Sequence, residues 1–173
     1  CTEATVSPPL YANGVPYRDT EAGEPCYVRG RVRALDGTPI GGAEVHIDQA
    51  EAVLTNADGC FVLKTTVAAP QPVAHDGPVS RLLQALGRHP WRPAHLHFTI
   101  SARGCERLVT QVFRQGDPYL DADAVFGVRS SLVADWVRHA PGRTPDGHSS
   151  EQPFTTLDFT FVLNRATPGD TTP

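Results

Sequence analysis

The chain has 173 residues, enough for one domain with a sizeable core and too few for two comfortable ones. Hydrophobic residues make up 40% and charged residues 20%, an ordinary globular balance, and a net charge of -4 offers no basic footprint for nucleic acid. No apolar run approaches the length that crosses a bilayer as a helix, so neither nucleic acid nor membrane is expected as a partner.

The 16 prolines and 15 glycines favour short strands and many turns over long helices. Cys1, Cys26, Cys60 and Cys105 show no CxxC pair or regular framework, so they read as reduced thiols of a cytoplasmic protein.

Residues 1–25 are irregular and rich in Pro and Gly, and are expected to lie as an extended arm over the domain. Cys26–Ala34 alternates as a strand (Tyr27, Val28, Gly30, Val32), and Asp36-Gly37 closes a tight turn. Ala43–Gln49 is the next predicted strand, with His46 and Asp48 on one face. Ala57-Asp58-Gly59 turns the chain into a strand over Cys60–Thr66, and Pro70–Pro78, holding Gln71 and His75, reads as a loop.

Apolar residues at 82, 83 and 86 fit one or two helical turns over Ser80–Leu86. Ala94–Ser101 and Arg107–Arg114 are predicted strands, Asp117–Asp123 a loop, and Ser131–His139 a short helix. Leu157–Leu163 is a last alternating strand, with Leu157, Phe159 and Phe161 on one side. The expectation is an all-β sandwich with one or two short helices. It spans residues 26–165, and a flexible tail covers 166–173.

The most informative stretch is Gly87-Arg88-His89-Pro90-Trp91-Arg92-Pro93-Ala94-His95-Leu96-His97-Phe98. In a strand, His95, His97 and Thr99 share one face, and Leu96, Phe98 and Ile100 share the other. Two imidazoles two residues apart on a rigid strand can converge on one metal ion, although the same spacing also fits two polar residues on a solvated face.

The neighbouring text narrows this. Asp76-Gly77-Pro78-Val79, Leu82-Leu83, the stretch from Leu86 to Phe98, Gly116-Asp117-Pro118-Tyr119-Leu120-Asp121 and Asp123-Ala124-Val125-Phe126-Gly127-Val128 together resemble the intradiol ring-cleavage dioxygenases. The likeness is strongest to their catechol and hydroxyquinol 1,2-dioxygenase branch. It runs from Glu24-Pro25-Cys26 and Asp36-Gly37-Thr38-Pro39-Ile40 to Phe154-Thr155-Thr156-Leu157-Asp158-Phe159.

That resemblance implies a β-sandwich of the prealbumin-like type, iron as cofactor and a small aromatic diol as substrate. It makes His95 and His97 metal ligands, Arg92 the active-site arginine and Gln111 a glutamine beside the substrate, and it places Leu10 and Tyr11 at the substrate pocket. A permanently charged guanidinium suits the stabilisation of an oxyanionic intermediate.

The pattern breaks at two places. The family completes its iron site with two tyrosines, and counting back from Asp76 sets one of these positions on Gln71. The other lies in a segment after a Val-x-x-x-Gln strand, here Val45-His46-Ile47-Asp48-Gln49, but this chain passes almost directly to Leu54-Thr55-Asn56-Ala57-Asp58-Gly59. The resemblance implies that longer relatives carry a helical segment before the core with their usual dimer contacts; residues 1–25 are not expected to supply it, and no oligomeric state is expected from the sequence.

Other groups can complete a different centre. A third nitrogen from His75 or His46 would suit zinc, and an Asp48 carboxylate would give the two-histidine, one-carboxylate set of ferrous enzymes. A site without metal is the remaining outcome. The expected function is a divergent enzyme acting on a catechol-like or polyhydroxylated aromatic compound. The alternatives are non-oxidative chemistry on a phenol (a cyclase, isomerase or lyase) and a non-catalytic binding module.

Overall fold

The computed structural model describes residues 1–5, 23–47, 52–73 and 78–166, with backbone alone at 78–80. In chain order the strands are β1 (Pro25–Ala34), β2 (Glu44–Ile47), β3 (Val53–Leu54), β4 (Cys60–Thr66), β5 (Gln71–Pro72), β6 (Trp91–Arg92), β7 (His95–Ser101) and β8 (Leu108–Arg114). They continue as β9 (Val133–Ala134), β10 (Trp136–His139), β11 (Gly142–Arg143), β12 (Ser149–Ser150) and β13 (Phe154–Leu163), and helix α1 (Pro78–Ala85) lies between β5 and β6.

Strand alternation sorts nine of these strands into two packed sheets, one ordered β10-β13-β1-β4 and the other β3-β2-β7-β8-β9, while β5 pairs with β6 and β11 with β12. β1 pairs in parallel with β13 from Cys26–Thr155 to Ala34–Leu163, and antiparallel with β4. Both ends of the domain therefore meet in the middle of one sheet. Val28, Val32, Phe61, Leu63, Leu157 and Phe161 from that sheet pack against Val45, Ile47, Leu96, Phe98 and Ile100 from the other. The expected all-β sandwich is what the chain forms.

Two glycines are required by their surroundings. A Cβ on Gly30 would fall 2.1 Å from the Phe61 ring, so its absence lets that ring lie over β1. Gly59 turns the chain into β4 with a φ of +70°, and a Cβ there would sit 2.3 Å from the Val32 carbonyl oxygen.

The helix expected over Ser131–His139 does not form. Leu132, Val133, Trp136 and Val137 have helix-like spacing, yet the segment folds as a 3-10 turn (Ser130–Leu132) followed by β9 and β10. β9 pairs with β8, and β10 pairs with β13. Two open sheet edges thus override a weak periodic signal, and the β-branched valines suit the extended backbone.

The expected loop over 70–78 also differs. Gln71 and Pro72 form a short ladder with Arg92 and Trp91, and α1 already begins at Pro78. A 3-10 turn, Leu120–Ala122, lies inside the expected loop over 117–123.

The chain's outer segments are tied to the sandwich by backbone bonds. Thr2 N–H donates to Val162 O and Thr5 N–H to Val109 O, so residues 2–5 reach from β13 in one sheet to β8 in the other. Ala166 N–H donates to Gly104 O. All four cysteines are unpaired. Among the described residues no helix is long and apolar enough to cross a membrane.

Candidate functional site

The site is built on β6, β7 and β8. On β7 the core face is closed by Leu96, Phe98 and Ile100, which leaves His95 and His97 on the opposite face. His95 is nonetheless only 2% exposed, because the Phe113 ring packs 5.4 Å from its own.

The His95 Nδ1 lies 2.7 Å from the Pro93 carbonyl oxygen. A carbonyl can only accept, so Nδ1 carries the hydrogen, and a neutral His95 presents the lone pair of Nε2. That Nε2 is 3.2 Å from Nε2 of His97. The sequence-predicted pair therefore converges.

Arg92 and Gln111 join it, and both are buried, at 4% and 3% exposure. Gln111 stands directly across from His97 in the β7–β8 ladder. Its Oε1 accepts a 2.9 Å bond from Arg92 Nη2, which turns its amide nitrogen toward His97, 3.3 Å from both ring nitrogens. Arg92 Nη1 approaches His95 Nε2 at 3.4 Å. A proline after Arg92 and its ladder partner Gln71 fix the backbone that carries the guanidinium.

One residue the sequence reading passed over completes the group. Asp123, 3% exposed, accepts from Arg92 Nε at 3.1 Å and from Arg92 Nη2 at 3.3 Å. The backbone N–H of Gly127 adds a 2.8 Å bond and that of Val125 a 3.4 Å bond to the same carboxylate. A buried guanidinium requires such a partner, so an acidic residue among apolar neighbours in the motif Asp123–Val128 was the available signal.

The segment that brings Asp123 in is itself anchored. Asp117 accepts from Ala94 N–H at 3.0 Å and from Tyr119 N–H at 2.9 Å. Arg88 donates to the carbonyls of Ala122 and Asp123, and its guanidinium lies 4.1 Å over the Phe126 ring.

Of the other candidates, His46 and Gln71 are described. The His46 ring meets the Glu44 carboxylate at 3.2 Å on a side chain 41% exposed, and its ladder partner is Thr99. Gln71 is half-buried on β5, at the ladder position opposite Arg92. Leu10, Tyr11, Asp48 and His75 lie outside the described residues. Of the described tyrosines, Tyr27 packs edge-on against Phe154, and Tyr119 stacks on Trp91 beside His89.

The spacing of the two Nε2 atoms suits shared ligation, since each can reach one ion at the usual nitrogen–metal distance of about 2.0–2.1 Å. Among the described residues no group of three or more His, Cys, Asp or Glu gathers around an ion. The donors present are two imidazoles with a guanidinium nearby, and the Asp123 charge is committed to Arg92. This described set fits a histidine-held metal ion; by itself it lacks the anionic oxygens that favour ferric iron.

The family model described as Dioxygenase matches residues 51–165. The chain is 46% identical to a 6-chlorohydroxyquinol 1,2-dioxygenase of Cupriavidus pinatubonensis, over 95% of this chain and 65% of that protein. It is 37% identical to a hydroxyquinol 1,2-dioxygenase of Nocardioides simplex, over 94% and 64%. The first alignment is 190 positions long, more than the 173 residues available, so that relative holds residues this chain lacks.

Among solved structures, a hydroxyquinol 1,2-dioxygenase from Pseudomonas putida superposes with a TM-score of 0.82 at 35% identity, covering 95% of this chain and 67% of that one. This chain thus spans about two thirds of the length of its relatives. The matched sandwich, and a family model that covers most of the sequence, show that the chain belongs to the intradiol ring-cleavage dioxygenase family.

Proposed function

We propose that this chain is an enzyme acting on a catechol-like or polyhydroxylated aromatic compound, at a non-standard metal site built on His95 and His97. One observation carries the reading. A buried guanidinium, Arg92, is held between Asp123 and Gln111 with Nη1 3.4 Å from Nε2 of His95. A guanidinium N–H edge beside an imidazole lone pair calls for a ligand whose oxygens can accept from the one and share a metal ion with the other. The two oxygens of an ortho-diol meet that need, and the relatives are named for hydroxyquinol and its chlorinated form.

His95 and His97 would hold the metal ion, which when bound supplies Lewis acidity to the oxygens of the diol. Arg92 stabilises oxyanionic charge as it develops on the ring oxygen, from a position already fixed before substrate arrives. Gln111 keeps the Arg92 plane aligned through Oε1 and presents its amide N–H groups toward His97. The Pro93 carbonyl keeps His95 in the tautomer whose Nε2 can accept.

The centre is non-standard because Gln71 stands where the resemblance places a tyrosine ligand, and a carboxamide brings no negative charge. Family-like oxidative ring cleavage remains the favoured reaction, since the arginine, the glutamine and both histidines stand together at bonding distances. The neutral Gln71 favours a second reading, acid–base chemistry on a phenol without oxygen.

Elemental analysis of the purified protein, followed by oxygen uptake with hydroxyquinol and catechol, tests this. Stoichiometric metal, no intense visible band of the phenolate–ferric type, and oxygen consumption matched to diol loss are the expected results. Diol consumption without oxygen uptake moves the chain to the second reading. Failure to bind or convert any aromatic diol overturns both.

A further inference from the structure

We propose that Asp123 is a positioning residue, which sets the edge that Arg92 turns toward the reacting oxygens; the proposal rests on the functional reading given above. The argument is a count of donors. A guanidinium has five N–H groups. Nε–H and one Nη2–H go to the two oxygens of Asp123, at 3.1 and 3.3 Å, and the other Nη2–H goes to Gln111 at 2.9 Å. Only Nη1 is left, and it is the nitrogen directed at His95.

The side-on grip of the carboxylate therefore selects the working edge. With the Nε and Nη2 edge occupied, the plane cannot rotate to present any other donors without breaking the pair. The carboxylate is in turn fixed by backbone N–H groups of Val125 and Gly127. Gly127 is the tight point, since a Cβ there would lie 3.0 Å from Arg92 Nη2 and 3.2 Å from Asp123 Oδ2. From the other side Arg88 holds the Asp123 carbonyl at 3.0 Å and covers Phe126, which adopts a φ of 55°. A non-glycine residue in the left-handed region marks a loop whose shape is imposed by such bonds.

Asp123 touches neither histidine and acts through Arg92 alone. Its removal should therefore be invisible once Arg92 is gone. The test is a double-mutant cycle of Asp123→Asn and Arg92→Ala, read by the affinity of the full chain for 4-nitrocatechol and by the Arg92 Nε–H signal in a proton–nitrogen correlation spectrum. Asp123→Asn should weaken binding by roughly 10- to 100-fold, the loss typical of a partner behind a liganding group, and shift or erase the Nε–H signal. The double variant should bind no worse than Arg92→Ala. Gly127→Ala, which keeps every charge and crowds the pair, should weaken binding in the same direction. It covers the case in which Asp123→Asn does not fold.

Losses that multiply in the double variant, or unchanged affinity in Asp123→Asn with the signal intact, overturn the positioning role alone. No binding of 4-nitrocatechol by the unmodified chain overturns the functional reading, and this proposal with it.

Discussion

The two faces of β7 belong to one strand and carry opposite obligations. Leu96, Phe98 and Ile100 are fully buried in the apolar layer between the sheets, with the Phe98 ring 4.8 Å from Phe161. One residue away, His95 and His97 turn their nitrogens to each other and to Arg92 and Gln111. The difference teaches where a site of this kind gets its precision. The dry face locks the strand, and the period of two then places the polar face with no further freedom. The described groups that cluster there sit on strands or, like Asp123, on a turn bonded directly to them. On our reading, the departures from the family pattern fall outside those strands, at Gln71 on the short β5 and between β2 and β3.

Breaking the dry face should have the largest effect. Phe98→Ala removes a fully buried ring and should lower unfolding free energy by about 3–5 kcal/mol in urea titration. Metal content of the remaining folded protein should not change. His97→Ala should do the reverse. Its ring is half-buried, so stability should stay within about 1 kcal/mol. Bound metal should be lost and turnover of an aromatic diol should fall by more than about 100-fold, beyond the loss typical of a residue behind a ligand. If either variant moved both readouts together, the two faces would not be separable.

Most of the sandwich is legible in the sequence because alternation in Cys26–Ala34, Cys60–Thr66 and Arg107–Arg114 is regular and bounded by turn residues. The histidine pair is legible for a related reason, since strand geometry ties side-chain direction to residue number, whereas Arg92 and Gln111 are legible only through the family resemblance. Asp123 is different. Its role depends on a turn that folds back over β6, and no local pattern states that a carboxylate thirty-one positions along will meet Arg92. The helix expected at Ser131–His139 fails for the same long-range reason, because the edges of β8 and β13 decide its conformation. The short ladder of Gln71 and Pro72 with β6 is equally a tertiary event.

Among the described residues the dry layer fully buries one ionisable side chain, and its titration is the smallest and cleanest test of how dry that layer is. Cys26, on β1, is fully buried in the same cluster as Leu96 and Phe98. Burial, helped by the nearby Glu24 carboxylate and opposed by Arg114, pushes its thiol from the ordinary 9.0 up to about 12. Below pH 9.0 the thiol is protonated in both folded and unfolded chains, and its contribution to stability is fully present. Between 9.0 and about 12 the unfolded chain releases this proton and the folded chain keeps it, so stability falls as pH rises. By about pH 10.5 the loss should reach about 2 kcal/mol. The quantity to measure is the difference in urea stability between the natural chain and Cys26→Ala, at neutral and at alkaline pH. The natural chain should lose more. Equal losses in the two proteins would mean that water or a counter-charge reaches Cys26, and that the layer behind β7 is not the dry support its polar face requires.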